Sequence, residues 1–143
     1  MINDLKNLEF LKGKWTGSGT GPYGPYDVTA SFEERGRWLL MLHAISAPGD
    51  VEPFYVSTQV YGYENDDHTL DFFDTAGSFH FTGSRDGDYL SFDWKNDEEW
   101  RKSEYWLQGD GAVKFKYQAY DRDPESNEFV KAAFEGDLKR ITS

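Results

Sequence analysis

Asp74, Lys102 and Glu104 are the residues of this chain whose chemistry would matter most, because strand alternation turns all three toward the inside of the fold. A carboxylate facing an apolar interior costs several kcal/mol unless it is paired or hydrated. Lys102 beside either carboxylate would meet that need, and so would a place at a wet rim. The other reading is a few polar groups orienting a ligand in an otherwise aromatic pocket, the usual build of a small-molecule site. His43, Gln59, Tyr61 and Tyr117 can add hydrogen bonds there. A carboxylate so placed has a raised pKa, so Asp74 or Glu104 would be the acid/base of an enzyme on the same frame. No nucleophile, base and orienter stand in a legible set, so no residue is assigned a catalytic role.

Other patterns carry less. Gly19-Thr-Gly21-Pro-Tyr-Gly24 matches G-x-G-x-x-G, but that motif needs a helix N-terminus after it to receive pyrophosphate. Pro22 and Pro25 flank a turn into another strand, so these are turn glycines. Asp121-Arg-Asp-Pro-Glu-Ser-Asn127 opens like a calcium loop, yet Ser126 stands where glycine is needed and Ala132 where glutamate is. It reads as a solvated hairpin loop. His68 with Asp71, or His80 with Asp93, reads as a surface pair, with His68 on a turn and His80 on an outer face. Three scattered histidines without H-x-H or H-E-x-x-H spacing make no metal site.

Composition narrows the partners. Fifteen basic against 26 acidic side chains leave a net charge of −11, which repels phosphate backbones, and no basic cluster offsets it. The absence of cysteine removes disulfides, thiolate nucleophiles and Cys-based zinc sites. No apolar run approaches a membrane span, and Met1-Ile-Asn-Asp-Leu-Lys6 lacks the features of a signal peptide. The expectation is a cytoplasmic protein without nucleic acid or membrane partners.

These residues must be positioned by strands. Aromatics make up 17 % of the chain and glycines number 14, a composition suited to pleated surfaces punctuated by turns. Helical spacing occurs once, at Leu5, Leu8 and Leu11, capped by Asn3 or Asp4 and stopped by Gly13. From there, period-2 runs alternate with turn signals, giving about ten strands. Connections so short force antiparallel neighbours, and so many sequential strands are expected to close into an up-and-down barrel.

Short loops also assign faces. Loops at Ala76-Gly77 and Asp86-Gly87 pair Phe72 with Phe81 and Phe81 with Phe92, placing Leu70, Phe72, Phe79, Phe81, Leu90, Phe92 and Trp94 inside, with Asp74 among them. A loop at Asp110-Gly111 pairs Trp106 with Phe115 and Glu104 with Tyr117. Val113, Phe115, Tyr117 and Ala119 face inward, since the alternative buries Lys114 and Lys116. Trp100, Lys102, Glu104 and Trp106 then follow inward, which requires an odd turn or a bulge near Asn96. The last strand presents Val130, Ala132, Phe134 and Leu138 on one face. Loops at Arg35-Gly36 and Asn65 place Val28, Ala30, Phe32, Leu39, Met41, His43, Tyr55, Ser57, Gln59 and Tyr61 inside. Trp38, Leu40, Leu42, Val56 and Val60 are left as an apolar outer stripe, fit for a homodimer contact. A one-residue change in both loops would reverse these strands.

Leu8-Glu-Phe-Leu-Lys-Gly-Lys-Trp15-Thr-Gly-Ser-Gly19 resembles the start of a calycin-type barrel, a short helix followed by Gly-x-Trp entering the first strand. That superfamily includes lipocalins, fatty-acid-binding proteins, nitrobindin-like haem barrels and uncharacterised bacterial calycin-like domains, the last being the nearest in kind. The resemblance implies one such ten-stranded, all-β barrel over residues 1–143. It also implies barrel closure by Gly13, Trp15 and Arg140 (or Lys139), with the cation stacked on the indole. Gly17-Ser-Gly19-Thr-Gly21 further resembles the first strand of nitrobindin-like proteins, which bind haem through a histidine near the C-terminus. No histidine occurs in the final sixty residues here, which disfavours haem; His43 is the inward substitute. The expected function is binding of a small apolar or aromatic ligand in the lumen, without a cofactor. The alternatives are an enzyme on the same barrel and a dimeric interaction module with a filled barrel.

Overall fold

Alternating side chains and tight turns organise the chain into one closed sheet in the computed structural model, which describes residues 8, 10–21, 24–64, 67–75, 77–96, 99–121 and 130–141. The strands are β1 (Gly13–Gly21), β2 (Gly24–Arg35), β3 (Trp38–Ser46), β4 (Tyr55–Glu64) and β5 (Asp67–Asp74), then β6 (Gly77–Asp86), β7 (Tyr89–Lys95), β8 (Glu99–Leu107), β9 (Val113–Asp121) and β10 (Val130–Arg140). Each strand pairs antiparallel with its sequence neighbours, and β1 pairs with β10 to close the barrel. Where an N-terminal helix was expected, the described residues Leu8, Phe10 and Leu11 lie in a 3₁₀ turn. The expected cap and Leu5 fall outside the described residues, as does most of the Asp121 to Asn127 loop.

Turn geometry decides which face each strand shows. Between β2 and β3, Arg35 pairs with Trp38, and between β6 and β7 Asp86 pairs with Tyr89, so each loop has two residues. Asp74 pairs with Gly77 across the β5–β6 turn. The loops at β5–β6 and β6–β7 sit one residue away from the expected positions. Phe72 therefore meets Phe79 and Gly83 meets Phe92, a register shift of two that leaves every face unchanged.

The β8–β9 turn corrects the expectation about β8. Gly111 N–H donates to the Gln108 carbonyl at 3.0 Å, Gln108 N–H donates to the Ala112 carbonyl at 2.8 Å, and Gly111 has φ +86°. This is a three-residue loop closed by a left-handed glycine, so the Asp-Gly pair is the tail of a longer turn and not a hairpin loop by itself. The odd length pairs Tyr105 with Phe115 and Ser103 with Tyr117. The Asn96 turn is even, with Lys95 opposite Trp100. Arg101, Ser103 and Tyr105 consequently face inward, and Trp100, Lys102, Glu104 and Trp106 face outward.

One end of the barrel is plugged. Leu8, Leu11 and Trp15 are buried beneath it, and the Trp15 indole N–H donates to the Leu11 carbonyl at 2.8 Å. Arg140, not Lys139, stacks on Trp15 at 4.4 Å and donates to the carbonyls of Lys12 and Phe10. Gly13 makes room for that guanidinium, since a Cβ there would lie 2.6 Å from Arg140 Nη1. Arg85 covers the Phe10 ring at 4.8 Å from its centroid. With this end filled by side chains, any internal space must open toward the other, where β3, β5, β7 and β9 end.

On the outer face, Trp38 lies flat over Gly62, and Arg37 covers the indole at 4.7 Å. A Cβ at position 62 would lie 2.4 Å from the Trp38 ring. Gly62→Ala is therefore expected to lift the indole off the sheet at a cost of about 1–3 kcal/mol. Thermal melting with near-ultraviolet circular dichroism checks this; an unchanged indole signal and melting point would refute it.

Candidate functional site

Inward residues of β3, β4, β5, β8, β9 and β10 surround a cavity of about 250 Å³. Its walls are mainly apolar, drawn from Met41, Ile45, Phe72, Phe115, Phe134 and Leu138. The polar groups are few. Of the residues expected to contact a ligand, His43, Gln59, Asp74 and Tyr117 line this space directly. Tyr61 is fully buried and reaches the same groups through hydrogen bonds.

Those hydrogen bonds form a continuous internal chain. The Tyr61 hydroxyl donates to Gln59 Oε1 at 2.8 Å and lies 2.8 Å from the Tyr105 hydroxyl. Gln59 Nε2 donates to Ser57 Oγ at 3.1 Å, and Ser57 Oγ lies 3.4 Å from His43 Nδ1. Burial pushes the Tyr61 and Tyr105 hydroxyls above the usual phenol range and holds His43 down to about 4, so all three are neutral near pH 7.

A second polar group sits toward the open end. The Tyr55 hydroxyl donates to Asp74 Oδ2 at 2.7 Å. Arg101 donates from Nε to Glu99 Oε1 at 2.7 Å and from Nη1 to the Tyr117 hydroxyl at 3.1 Å, while its guanidinium covers Phe79 at 4.1 Å. Ring pairs frame these groups: Phe72 stacks on Tyr117 with centroids 5.5 Å apart, and Tyr55 on Phe134 at 6.2 Å. Burial raises the Tyr55 and Tyr117 hydroxyls; Asp74 adds to the rise at Tyr55, whereas Arg101 opposes it at Tyr117.

Lys102 and Glu104 do not join this site. They lie on the outer face of β8, where the Tyr89 hydroxyl donates to Glu104 Oε2 at 2.5 Å and Lys102 Nζ stands 3.7 Å from the same oxygen. Burial and the Glu104 carboxylate push Tyr89 up to about 12. Trp100 beside them donates to Asp93 at 3.3 Å. Sequence reasoning thus missed Arg101, Ser103 and Tyr105, each one position away from a residue it chose. The signal available was the second glycine of Gly109-Asp-Gly111, which favours a three-residue turn.

The surface pairs also differ from expectation. His80 is opposite Asp71, not Asp93, and its Nδ1 lies 2.6 Å from Asp71 Oδ1. His68 is a buried residue of β5, packed edge-on against Tyr63, and not part of a turn. No group of three metal-ligating side chains occurs among the described residues.

Fold and cavity define a ten-stranded antiparallel up-and-down barrel, closed at one end, an architecture compatible with holding a small molecule inside. Among solved structures, the chain is similar to the crystal structure of Rv2717c from M. tuberculosis, with a TM-score of 0.73 over 99 % of both chains. The two sequences are 18 % identical, so the likeness is one of fold. No family model matches the chain, and no curated protein does. Among the described residues, no helix is long and apolar enough to cross a membrane.

The only histidine lining the cavity is His43, whose Nδ1 faces Ser57 and whose ring packs edge-on against Tyr55.

Proposed function

We propose that the barrel binds a small, mostly apolar molecule of one or two rings in its lumen, without haem. The observation that carries this reading is the cavity of about 250 Å³, apolar over most of its wall and supplied with a few converging polar groups. An apolar cavity of roughly 150 Å³ takes up benzene, so this one accommodates a somewhat larger ring compound. His43, Gln59, Asp74 and Tyr117, joined by Arg101, are the groups that would orient it.

The test is native mass spectrometry of freshly purified protein against its denatured mass, paired with an Ala119→Phe variant. Ala119 lines the cavity and is buried, so the added ring occupies ligand space at a stability cost of about 1–3 kcal/mol. An extra mass carried by the wild type and lost in the folded variant is the expected result. An adduct of unchanged occupancy in the variant would place the ligand elsewhere and overturn the reading.

The outer stripe favours a homodimer as a second reading. Leu42 and Val56 are 54 % and 51 % exposed, with Leu40 and Val60 partly exposed beside them. Trp38 contributes less than its type suggests, because it is folded onto Gly62. The charge-state series of the same spectrum reads the oligomeric state, and a monomer at micromolar concentration removes this reading.

A further inference from the structure

The internal hydrogen-bond chain has a direction, and the direction constrains the ligand. Gln59 is the element that sets it, because an amide presents an acceptor at one side and a donor at the other. With Oε1 toward Tyr61 and Nε2 toward Ser57, the single Tyr61 proton is committed to Gln59. The Tyr105 hydroxyl must then donate to Tyr61. Ser57, receiving the Gln59 amide proton, has its own proton left to give. Tyr55 and His43 Nδ1 both lie near it, and an imidazole nitrogen is the stronger acceptor. His43 therefore accepts at Nδ1 and carries its proton on Nε2, on a ring that lines the cavity.

We propose that His43 Nε2–H is the donor that reads the ligand, which is accordingly an uncharged ring compound bearing a hydrogen-bond acceptor such as a carbonyl. Gln59, Tyr61 and Tyr105 act through Ser57 as positioning residues that hold the tautomer. This rests on the lumen-binding reading above and goes beyond it by naming the ligand's chemical class. Neutrality of the ligand follows from the donor, since His43 is uncharged near pH 7 and offers no countercharge. Of the two cationic residues at the cavity, Lys116 belongs to the outward set of β9, opposite Glu104, and Arg101 is already paired with Glu99. A carboxylate entering here would face Asp74 and Glu99 with one guanidinium to share.

Two measurements test the proposal on the full chain. Long-range ¹H–¹⁵N spectra at pH 7, with the His68 and His80 signals assigned by glutamine variants, report which ring nitrogen of His43 holds the proton. Nε2–H is expected; a ring protonated at Nδ1 overturns the proposal. Ligand titration then compares acetophenone, ethylbenzene and benzoate, which are close in size and differ in the acceptor and its charge. Acetophenone is expected to bind at least about tenfold more tightly than either, and His43→Phe to erase its advantage over ethylbenzene. Equal binding of acetophenone and ethylbenzene to the wild type would sink the tautomer argument while leaving lumen binding intact. Failure of all three to bind would overturn both. Should His43→Phe not fold, the wild-type ranking and the spectrum decide between these outcomes.

Discussion

Trp15→Ala should lower stability by about 3–5 kcal/mol, the range for removing a large ring from a packed interior, and the melting temperature by about 10–20 °C. The indole is 1 % exposed, donates to the Leu11 carbonyl and carries the Arg140 guanidinium on its face. Its removal leaves three things unsupported: the 3₁₀ turn, the Arg140 side chain and the β1–β10 seam, where Trp15 is opposite Arg140. Trp15→Phe separates the parts, since it keeps an aromatic face but leaves the Leu11 carbonyl without its partner, at a smaller cost of about 1–2 kcal/mol. Urea denaturation of the two variants is the check. A loss below about 1 kcal/mol for the alanine variant would show that the plug is dispensable.

The second large effect is on pH dependence. His43 is held near pKa 4 by burial, against an ordinary value of 6.5. Between those values the unfolded chain takes a proton at this site and the folded chain does not. The stability contributed by His43 is therefore complete above about pH 6.5 and is lost as pH falls toward 4. The shift corresponds to about 3 kcal/mol in full, of which about 1.4 kcal/mol is already gone at pH 5.5. That pH lies above the isoelectric point near 4.6, where the chain would lose its net charge. Urea midpoints at pH 7.5 and 5.5 should fall further for the wild type than for His43→Gln. Equal falls would mean that His43 is protonated freely in the folded protein.

The class of fold was legible because turn signals recur at strand spacing with no room for crossovers. The inward faces of β5 to β7 were legible too, since even-length loops conserve face whether or not their position is right, whereas those of β3 and β4 hung on two loop lengths that the sequence left open. The β5–β6 and β6–β7 loops show this, as each lies one residue away without reversing any side chain. β8 was misread because loop parity is all-or-none. Choosing the odd turn at Asn96 instead of at Gly109-Asp-Gly111 exchanged Arg101, Ser103 and Tyr105 for Lys102 and Glu104. The pattern of β8 gave little help, since two tryptophans flank a lysine and a glutamate on one face, and arginine, serine and tyrosine stand on the other. The internal hydrogen-bond chain was beyond sequence reading for another reason. It depends on side chains from β3, β4 and β8 meeting across the lumen, and alternation says which way a residue points but not what it meets.

Pairing of β1 with β10 leaves no strand edge among the ten, so the finished barrel has no open row of backbone donors and acceptors for another chain to extend. Edges exist only while the ring is still open, and the two strands that then bear them are poor templates for strand addition. β1 contains Gly13, Gly17, Gly19 and Gly21, which weaken any β pairing that packing does not reward. β10 carries Glu135, Asp137, Lys139 and Arg140, charges that resist stacking on a copy of themselves. The seam that completes the fold is thus built from segments ill suited to aggregation during the interval when they are exposed.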